Sequence, residues 1–421
     1  MPPGRRRDDR FRTPVYWTGS CAGLCLKPLL ITSFATANPL GLGCDATSLA
    51  LREHRGGLRH NDLDFAAGLD TWIGRVNGVE SAPVAEHLAE FDCRNNRLAQ
   101  LGLEQDGFVE AVARARRRYG AHRIAVLIGT STSGIRECER AYCERARPGG
   151  TLPEWFDQRR TLNLYSVADF VQRYLELRSV SVAISTACSS SAKVFASAQR
   201  LIEAGFADAA VVGGVDSLCL TTLYGFASLE LLSREPCRPC DTHRDGISIG
   251  EAAGFALLER MGSGEGGVVL AGYGESCDAY HMSSPHPGGE GARKAMEEAL
   301  DRAGIASTDV GYVNMHGTGT PANDRIEDEA IHRIFGDSVP CSSTKGWTGH
   351  TLGAAGIVEA IVVANCLEHG YVPGSLNVRE IDPAFKSQIV LEPEARELRY
   401  VLSNSFGFGG NNCCLLFGKA A

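Results

Sequence analysis

From about Leu29 onward, short aliphatic runs alternate with amphipathic stretches. Leu29-Leu30-Ile31-Thr32, Ile124–Ile128, Val182–Ile184, Ala209–Val212, Gly254–Leu258, Val268–Gly272, Val310–Asn314 and Tyr400–Ser403 are runs of strand length, bounded by glycine or polar residues. Between them, Asp45–Glu53, two patterns within Val84–Arg117, a segment after Ser191 closed by Gly205, Ala292–Ala303, Ile326–Phe335 and the small-and-aliphatic Leu352–Cys366 carry helical spacing. Val182–Gly214 reads as strand, helix, strand, which predicts parallel strands joined by a right-handed crossover. Glu230–Gly254 reads as loop. Residues 1–27 lack either period: Asp8, Asp9, Arg10 and Arg12 break the basic start, and Thr18-Gly19-Ser20 break the apolar part, so a disordered extension or a misplaced start is expected rather than a targeting signal.

The pattern repeats. A strand ends at Cys188 with a helix behind it, and a strand-like run ends near His350 with a helix behind that. Two similar α/β halves are expected, residues 28–272 and 273–421, with a site where strand ends meet helix N-termini. A length of 421 residues suits two such halves.

Composition narrows the function. A hydrophobic share of 44% with 22% charged residues is ordinary for a soluble enzyme. A formal net charge of -8 argues against a general nucleic-acid binder but leaves room for a local basic patch. Fifteen cysteines, an odd count without disulfide-scaffold spacing, point to a reducing, cytoplasmic setting. No apolar run is expected to reach the length of a membrane-spanning helix.

Chemistry concentrates in a few places. Thr186-Ala187-Cys188-Ser189-Ser190-Ser191 puts a cysteine between a strand and a helix N-terminus, where free N–H groups and the helix dipole favour a thiolate; a buried structural cysteine is the competing reading. His316 and His350 both sit in Gly/Thr loops at matching strand ends rather than on amphipathic faces. Lys345 lies close before His350, and Glu327 opens the helix behind the His316 loop. Gly129–Gly134 is a small-residue loop without the P-loop or dinucleotide spacing. Cys237, Cys240 and His243 resemble half a zinc site with no second pair, so no metal is expected.

Four ordered motifs then stand out: Thr186–Ser191, His316-Gly317-Thr318-Gly319-Thr320, Lys345 with Thr348-Gly349-His350, and Asn404-Ser405-Phe406-Gly407-Phe408-Gly409-Gly410. Together, across about Leu29 to Phe417, they resemble the elongating, Cys-His-His branch of the β-ketoacyl-[acyl-carrier-protein] synthases. Asp241–Gly246 through Gly250-Glu251 fits the central loop of that family. The resemblance implies a thiolase-like fold with five layers, α-β-α-β-α, and a decarboxylative Claisen condensation of an acyl thioester with a malonyl-carrier. It implies Cys188 as nucleophile, with His316 and His350 as Nε–H donors to the enolate oxygen; proton abstraction is the alternative role for His316.

The same resemblance implies Lys345 as electrostatic support with Glu327 as its partner, and backbone N–H groups of Cys188 and Phe408 as an oxyanion hole. Phe408 would gate the acyl pocket. Thr318 and Thr320 would hold the pantetheine arm, with Phe406, Gly407 and Gly409 beside it. Thr132 falls near the position that bears on acyl length. Arg94, Arg97 and Arg234 are the expected docking patch for an acidic acyl carrier protein. No cofactor is expected beyond the phosphopantetheine delivered by that carrier. A homodimer with the Cys188 loop near its two-fold axis is expected, or a heterodimer with a related subunit.

Three departures bear on substrate: Gly346-Trp347 follow Lys345, Met315 precedes His316, and Thr132 is small and polar. Trp347 would either reshape the pocket or fill the core. Fatty-acid elongation is the leading reading; a dedicated polyketide or aryl-polyene synthase is the alternative. A non-catalytic partner subunit fits poorly with an intact Cys-His-His set. A thiolase would want a second catalytic cysteine, and Cys413 and Cys414 lack its glycine-rich context.

Overall fold

The computed structural model describes residues 26–145, 149–262 and 266–420. The expected extension over 1–27 lies outside them except for its last two residues. Those two are tied down: Leu26 N–H donates to the Arg302 carbonyl at 2.8 Å, and the Lys27 carbonyl accepts from Gln199 Nε2 at 2.9 Å.

Most of the apolar runs become strands buried along nearly their whole length, while the Ser181–Ile184 run at the sheet edge is only half-buried. In chain order they are β1 (Leu29–Asn38), β2 (Ile124–Gly129), β3 (Ser181–Ile184), β4 (Ala209–Asp216), β5 (Ala252–Arg260), β6 (Gly267–Cys277), β7 (Val310–Asn314), β8 (Pro340–Ser342), β9 (Gln388–Ile389), β10 (Tyr400–Gly407) and β11 (Asn411–Ala420). They form one twelve-stranded sheet, ordered β9-β8-β7-β10-β11-β6-β1-β5-β4-β2-β3, with the short Gly41–Leu42 pairing at its side. In the first half β3 and β4 flank β2 in parallel, as the strand–helix–strand reading predicts. In the second half β10, β7, β8 and β9 run parallel. Antiparallel strands join the halves at β1 and β6, through two registered pairs, Leu29↔Leu270 and Leu30↔Val269. β6 pairs with β11 from Gly267↔Ala420 to Cys277↔Asn411. The expected 272/273 boundary lies within β6, which pairs with strands of both halves.

Five helices matter here: α1 (Arg94–Leu103), α2 (Ser190–Glu203), α3 (Glu290–Ala303), α4 (Pro321–Phe335) and α5 (Ala355–His369). Helices α2 and α5 form the middle layer. Phe195, Ile202, Ile357 and Ile361 share one core with Leu127 and Val212 of the first half and Leu415 and Phe417 of the second. Phe195 meets Phe417 edge-on with ring centroids 5.8 Å apart. Burying each such ring contributes roughly 1.5–3 kcal/mol. Leu98 and Leu103 of α1 cover the outer face of the first half. Met296 and Ile331 cover that of the second. The result is the α-β-α-β-α layering expected from the sequence.

The two middle helices approach closely because position 356 is glycine. A Cβ there would lie 2.6 Å from the Ala192 nitrogen, so any side chain would push Cys188 and His350 apart. One expectation changes. The helical stretch Leu352–His369 is long and apolar enough to cross a membrane by length and composition. It is 89% buried inside the protein, as a middle layer between two sheet faces must be.

Candidate active site

The turn carrying Cys188 is built by its own serines. Ala187 is held in the left-handed region at φ 53, an unfavourable place for a residue with a Cβ. Hydrogen bonds fix it there. Ser190 Oγ donates to the Ala187 carbonyl at 2.5 Å and accepts from Thr186 N–H at 2.9 Å, while Ser189 Oγ donates to the Thr186 carbonyl at 2.9 Å. Ser191 Oγ accepts from Ile357 N–H at 3.0 Å, which ties the nucleophile turn to α5 and so to the other half.

His316 follows β7. The carboxylate of Glu327, in the second turn of α4, accepts from the backbone N–H groups of His316 at 2.7 Å and Gly317 at 2.8 Å, and from Asn404 Nδ2 at 3.0 Å. Gly319 is at φ 82, and a Cβ there would meet the Gly246 carbonyl oxygen at 2.7 Å, which is why this loop needs glycine. Thr318 and Thr320 hydroxyls lie 2.9 Å apart.

Lys345 is buried with its ammonium on three acceptors: Glu359 Oε1, the His316 carbonyl, and His316 Nδ1 at 3.2 Å. This corrects the expected pairing. Glu327 serves the loop backbone, and the partner of Lys345 is Glu359 on α5. Leu352 N–H donates to His350 Nδ1 at 3.2 Å. Both Nδ1 atoms therefore accept, so in the neutral rings the proton sits on Nε2. The two rings stand nearly perpendicular at 84°, centroids 5.3 Å apart, and the ligand-type atoms of Cys188, His316 and His350 all lie within 4.8 Å of one another. Among the described residues this set could also hold a soft metal ion. Ligation, however, would demand that the protonated Nε2 atoms give up the form the hydrogen bonds select.

Burial sets the electrostatics. Desolvation, with the Lys345 charge behind it, holds His350 well below the usual histidine range; at His316, desolvation, Lys345 and His350 act together. Burial pushes the Cys188 thiol up to about 11, against the pull of the Lys345 ammonium and the Phe408 N–H. The depressed thiol expected at a helix N-terminus is thus not found. Desolvation outweighs the Lys345 charge and the N–H groups of Phe408 and Cys188, and the Ser190 N–H turns to the Ala187 carbonyl instead. Burial likewise raises Glu327 to about 7, against its backbone and Asn404 hydrogen bonds.

A cavity of about 260 Å³ opens onto the three reactive side chains. Thr318, Thr320, Phe406, Gly407, Phe408 and Gly409 all line it, as expected from the motifs. Phe408 packs on Phe226 at 5.7 Å, and Gly409 N–H donates to the Met282 carbonyl at 2.7 Å, joining this turn to the loop after β6.

Other expected residues lie elsewhere. Thr132 is not in the cavity lining; its hydroxyl and N–H both donate to Asp216, each at 2.9 Å. Arg94 is 7% exposed, locked to Glu251 and Glu80, so it presents nothing to a partner. Arg97 is chelated by Asp92 at 2.5 and 2.6 Å. Arg234 alone of the three is exposed without an ion pair among the described residues. Trp347 is fully buried and donates Nε1–H to the Gly374 carbonyl at 2.9 Å, so it fills core rather than pocket. Cys237 and Cys240 are buried against Thr318 and Met315, and Cys413 and Cys414 lie inside β11. Sequence reasoning missed Glu359 and Asp216. Each is a lone acid in an otherwise apolar run, Leu352–Leu367 and Ala209–Asp216, and that oddity was the available signal.

A buried cysteine at a strand–helix turn, facing two imidazole N–H groups across an apolar cavity, defines an acyl-transferring enzyme of thiolase-like fold. Family models described as "Beta-ketoacyl synthase, N-terminal domain" and "Beta-ketoacyl synthase, C-terminal domain" match residues 77–263 and 268–379. The chain belongs to the β-ketoacyl synthase family. It is 39% identical over 311 residues to a 3-oxoacyl-[acyl-carrier-protein] synthase 2 of Rhizobium meliloti, covering 69% of this chain and 73% of that protein. Its identity to the synthase 2 of Vibrio cholerae is 36%, over 93% of this chain and 99% of that one. Among solved structures it resembles the ketosynthase ApeO in complex with its chain length factor ApeC from Xenorhabdus doucetiae. That match has 40% identity and a TM-score of 0.85, over 94% of this chain and 98% of that one. Its activity is that of a 3-oxoacyl-[acyl-carrier-protein] synthase, an acyltransferase.

Proposed function

We propose that Cys188 takes an acyl group from its carrier and that His316 and His350 then stabilise decarboxylation of a malonyl-carrier in the same cavity. The observation that carries this is the pair of Nε2–H donors aimed at one small space beside the cysteine. In the first step the Cys188 sulfur bonds to the acyl carbonyl carbon and the carrier thiol departs with the proton. The N–H groups of Cys188 and Phe408 hold the oxyanion. In the second, the malonyl C–C bond breaks, carbon dioxide leaves, and its electron pair becomes the enolate whose oxygen accepts from His316 and His350. The α-carbon attacks the acyl thioester, and Cys188 leaves as a thiolate that regains a proton.

Lys345, held in place by Glu359, keeps His316 neutral and oriented. Glu327 holds the loop backbone, and Thr318 and Thr320 take the pantetheine arm. Direct proton abstraction by His316 is disfavoured, since Lys345 occupies Nδ1 and Nε2 already carries a hydrogen. Arg234 is the docking contact to the acidic carrier.

Fatty-acid elongation in the cytoplasm is the leading setting; all described cysteines are free, which suits a reducing compartment. The likeness to a ketosynthase that pairs with a chain length factor favours one second reading, an aryl-polyene or polyketide synthase working as a heterodimer. Without such a partner the chain forms a homodimer. A single-turnover assay tests the chemistry. Acylated enzyme chased with malonyl-carrier should release carbon dioxide and 3-oxoacyl-carrier one for one, and carbon dioxide without condensation product would contradict it.

A further inference from the structure

Asp216 is a buried carboxylate at the C-terminal end of β4 that the chemistry above does not use. It accepts six hydrogen bonds. Oδ1 takes Thr130 Oγ1 at 2.8 Å, Ser131 N–H at 2.8 Å, and Thr132 N–H and Oγ1, both at 2.9 Å. Oδ2 takes Ser131 Oγ at 2.5 Å and Gly353 N–H at 2.6 Å. Five of the six come from the loop after β2, in the first half. The sixth crosses to the turn behind His350, in the second.

That crossing contact falls on a strained stretch. Leu352, just before Gly353, sits at φ 55, a left-handed conformation that costs a leucine of order 1–3 kcal/mol. Such a conformation persists only where its surroundings over-determine it. The anchor on Gly353 N–H supplies one side of that constraint. The other is Leu352 N–H itself, which in this conformation donates to His350 Nδ1 at 3.2 Å. The chain of contacts therefore runs from carboxylate to Gly353, to the Leu352 backbone, to Nδ1, and leaves the proton on Nε2, facing Cys188.

We infer that Asp216 is a positioning residue that selects the Nε2–H tautomer of His350 by pinning the Leu352–Gly353 backbone. It also makes the donor in the second half depend on the Gly129–Gly134 loop in the first, so that loop has a role other than shaping the acyl channel. This rests on His350 acting as a donor to the enolate.

The test uses Asp216→Asn, which keeps size and one oxygen but turns an N–H toward the Gly353 N–H. Ser131→Ala is the control: it also removes a donor to Oδ2, yet leaves the arm to His350. Two half-reactions are measured on the full-length enzyme: acylation of Cys188 by an acyl-carrier, and release of carbon dioxide from malonyl-carrier. Asp216→Asn is expected to slow decarboxylation ~10–100-fold, the size of one lost transition-state donor or less. Acylation should stay within ~3-fold, and Ser131→Ala should leave both within ~3-fold. Equal loss in both half-reactions, or no loss in either, would overturn the proposal. Nitrogen-15 spectra of histidine-labelled protein give an answer without activity and without depending on whether the variant folds: wild-type His350 should show a protonated Nε2 and an accepting Nδ1. The opposite tautomer in the wild type would overturn it. If the tautomer is as stated but no decarboxylation occurs in any form, the reading of the reaction fails, and with it the assignment of Asp216.

Discussion

Lys345 meets Glu359 inside the protein, both side chains essentially excluded from solvent, while the same ammonium caps His316 Nδ1 at 3.2 Å. A buried ammonium with three acceptors is satisfied; with its counter-charge removed it is not. Glu359→Ala should therefore destabilise the fold by about 3–5 kcal/mol, the cost of leaving one buried charge unpaired. Lys345→Ala should lower decarboxylation about 10²–10³-fold by freeing the His316 tautomer, with a smaller loss in acylation. Denaturant midpoints and the two half-reactions check these separately. Loss of stability with unchanged decarboxylation in Lys345→Ala would remove the lysine from the mechanism.

The acid limb of condensation is expected to follow Glu327 rather than either histidine. Both imidazoles are held well below their ordinary range, so they stay neutral as pH falls through 6.5. Glu327 is raised to about 7, and protonating it removes acceptor strength from the His316 and Gly317 N–H groups. Decarboxylation by pre-acylated enzyme should fall as pH drops through about 7. Glu327→Gln should flatten that limb; a limb that survives the substitution would assign it elsewhere.

Cys188 should react slowly with small electrophiles at neutral pH. With its thiol raised to about 11, about one molecule in ten thousand carries the thiolate at pH 7. Alkylation by iodoacetamide should rise about tenfold per pH unit from 7 to 9 with no plateau. A plateau near pH 7 would show that the thiolate is stabilised beyond what Lys345 and Phe408 N–H supply.

The strand Val310–Asn314 and the turn around Cys188 were legible because hydrophobic period and serine chemistry act within a few residues. The six cavity-lining residues were legible through glycine-rich motifs that bring backbone close to a ligand. The resemblance implies Glu327 as the partner of Lys345, whereas the contact with Glu359 comes from the packing of α5 on the site, which no local sequence pattern carries. Arg94 read as an exposed base on an amphipathic helix; its acid, Glu251, lies 157 residues away and reaches it only in the folded sheet. Thr132 read as channel lining for the same reason, since Asp216 comes from another strand.

Arg94 and Arg234 should respond to substitution in opposite ways. Arg94→Ala should destabilise the protein by about 3–5 kcal/mol by stranding Glu251, and leave KM for the carrier unchanged in the folded fraction. Arg234→Glu should do the reverse, raising that KM about tenfold or more with little change in stability. Thermal melts beside carrier titrations read both. An unchanged KM in Arg234→Glu would place the docking contact on other residues.

The most direct measurement is the intact mass of the protein after incubation with a panel of acyl-carrier proteins, wild type beside Cys188→Ala. An acyl adduct on the wild type alone is the predicted result, and the acyl group it favours separates lipid elongation from a secondary pathway. Adducts on both proteins, or on neither when a chain length factor partner is also supplied, would contradict Cys188 as the nucleophile.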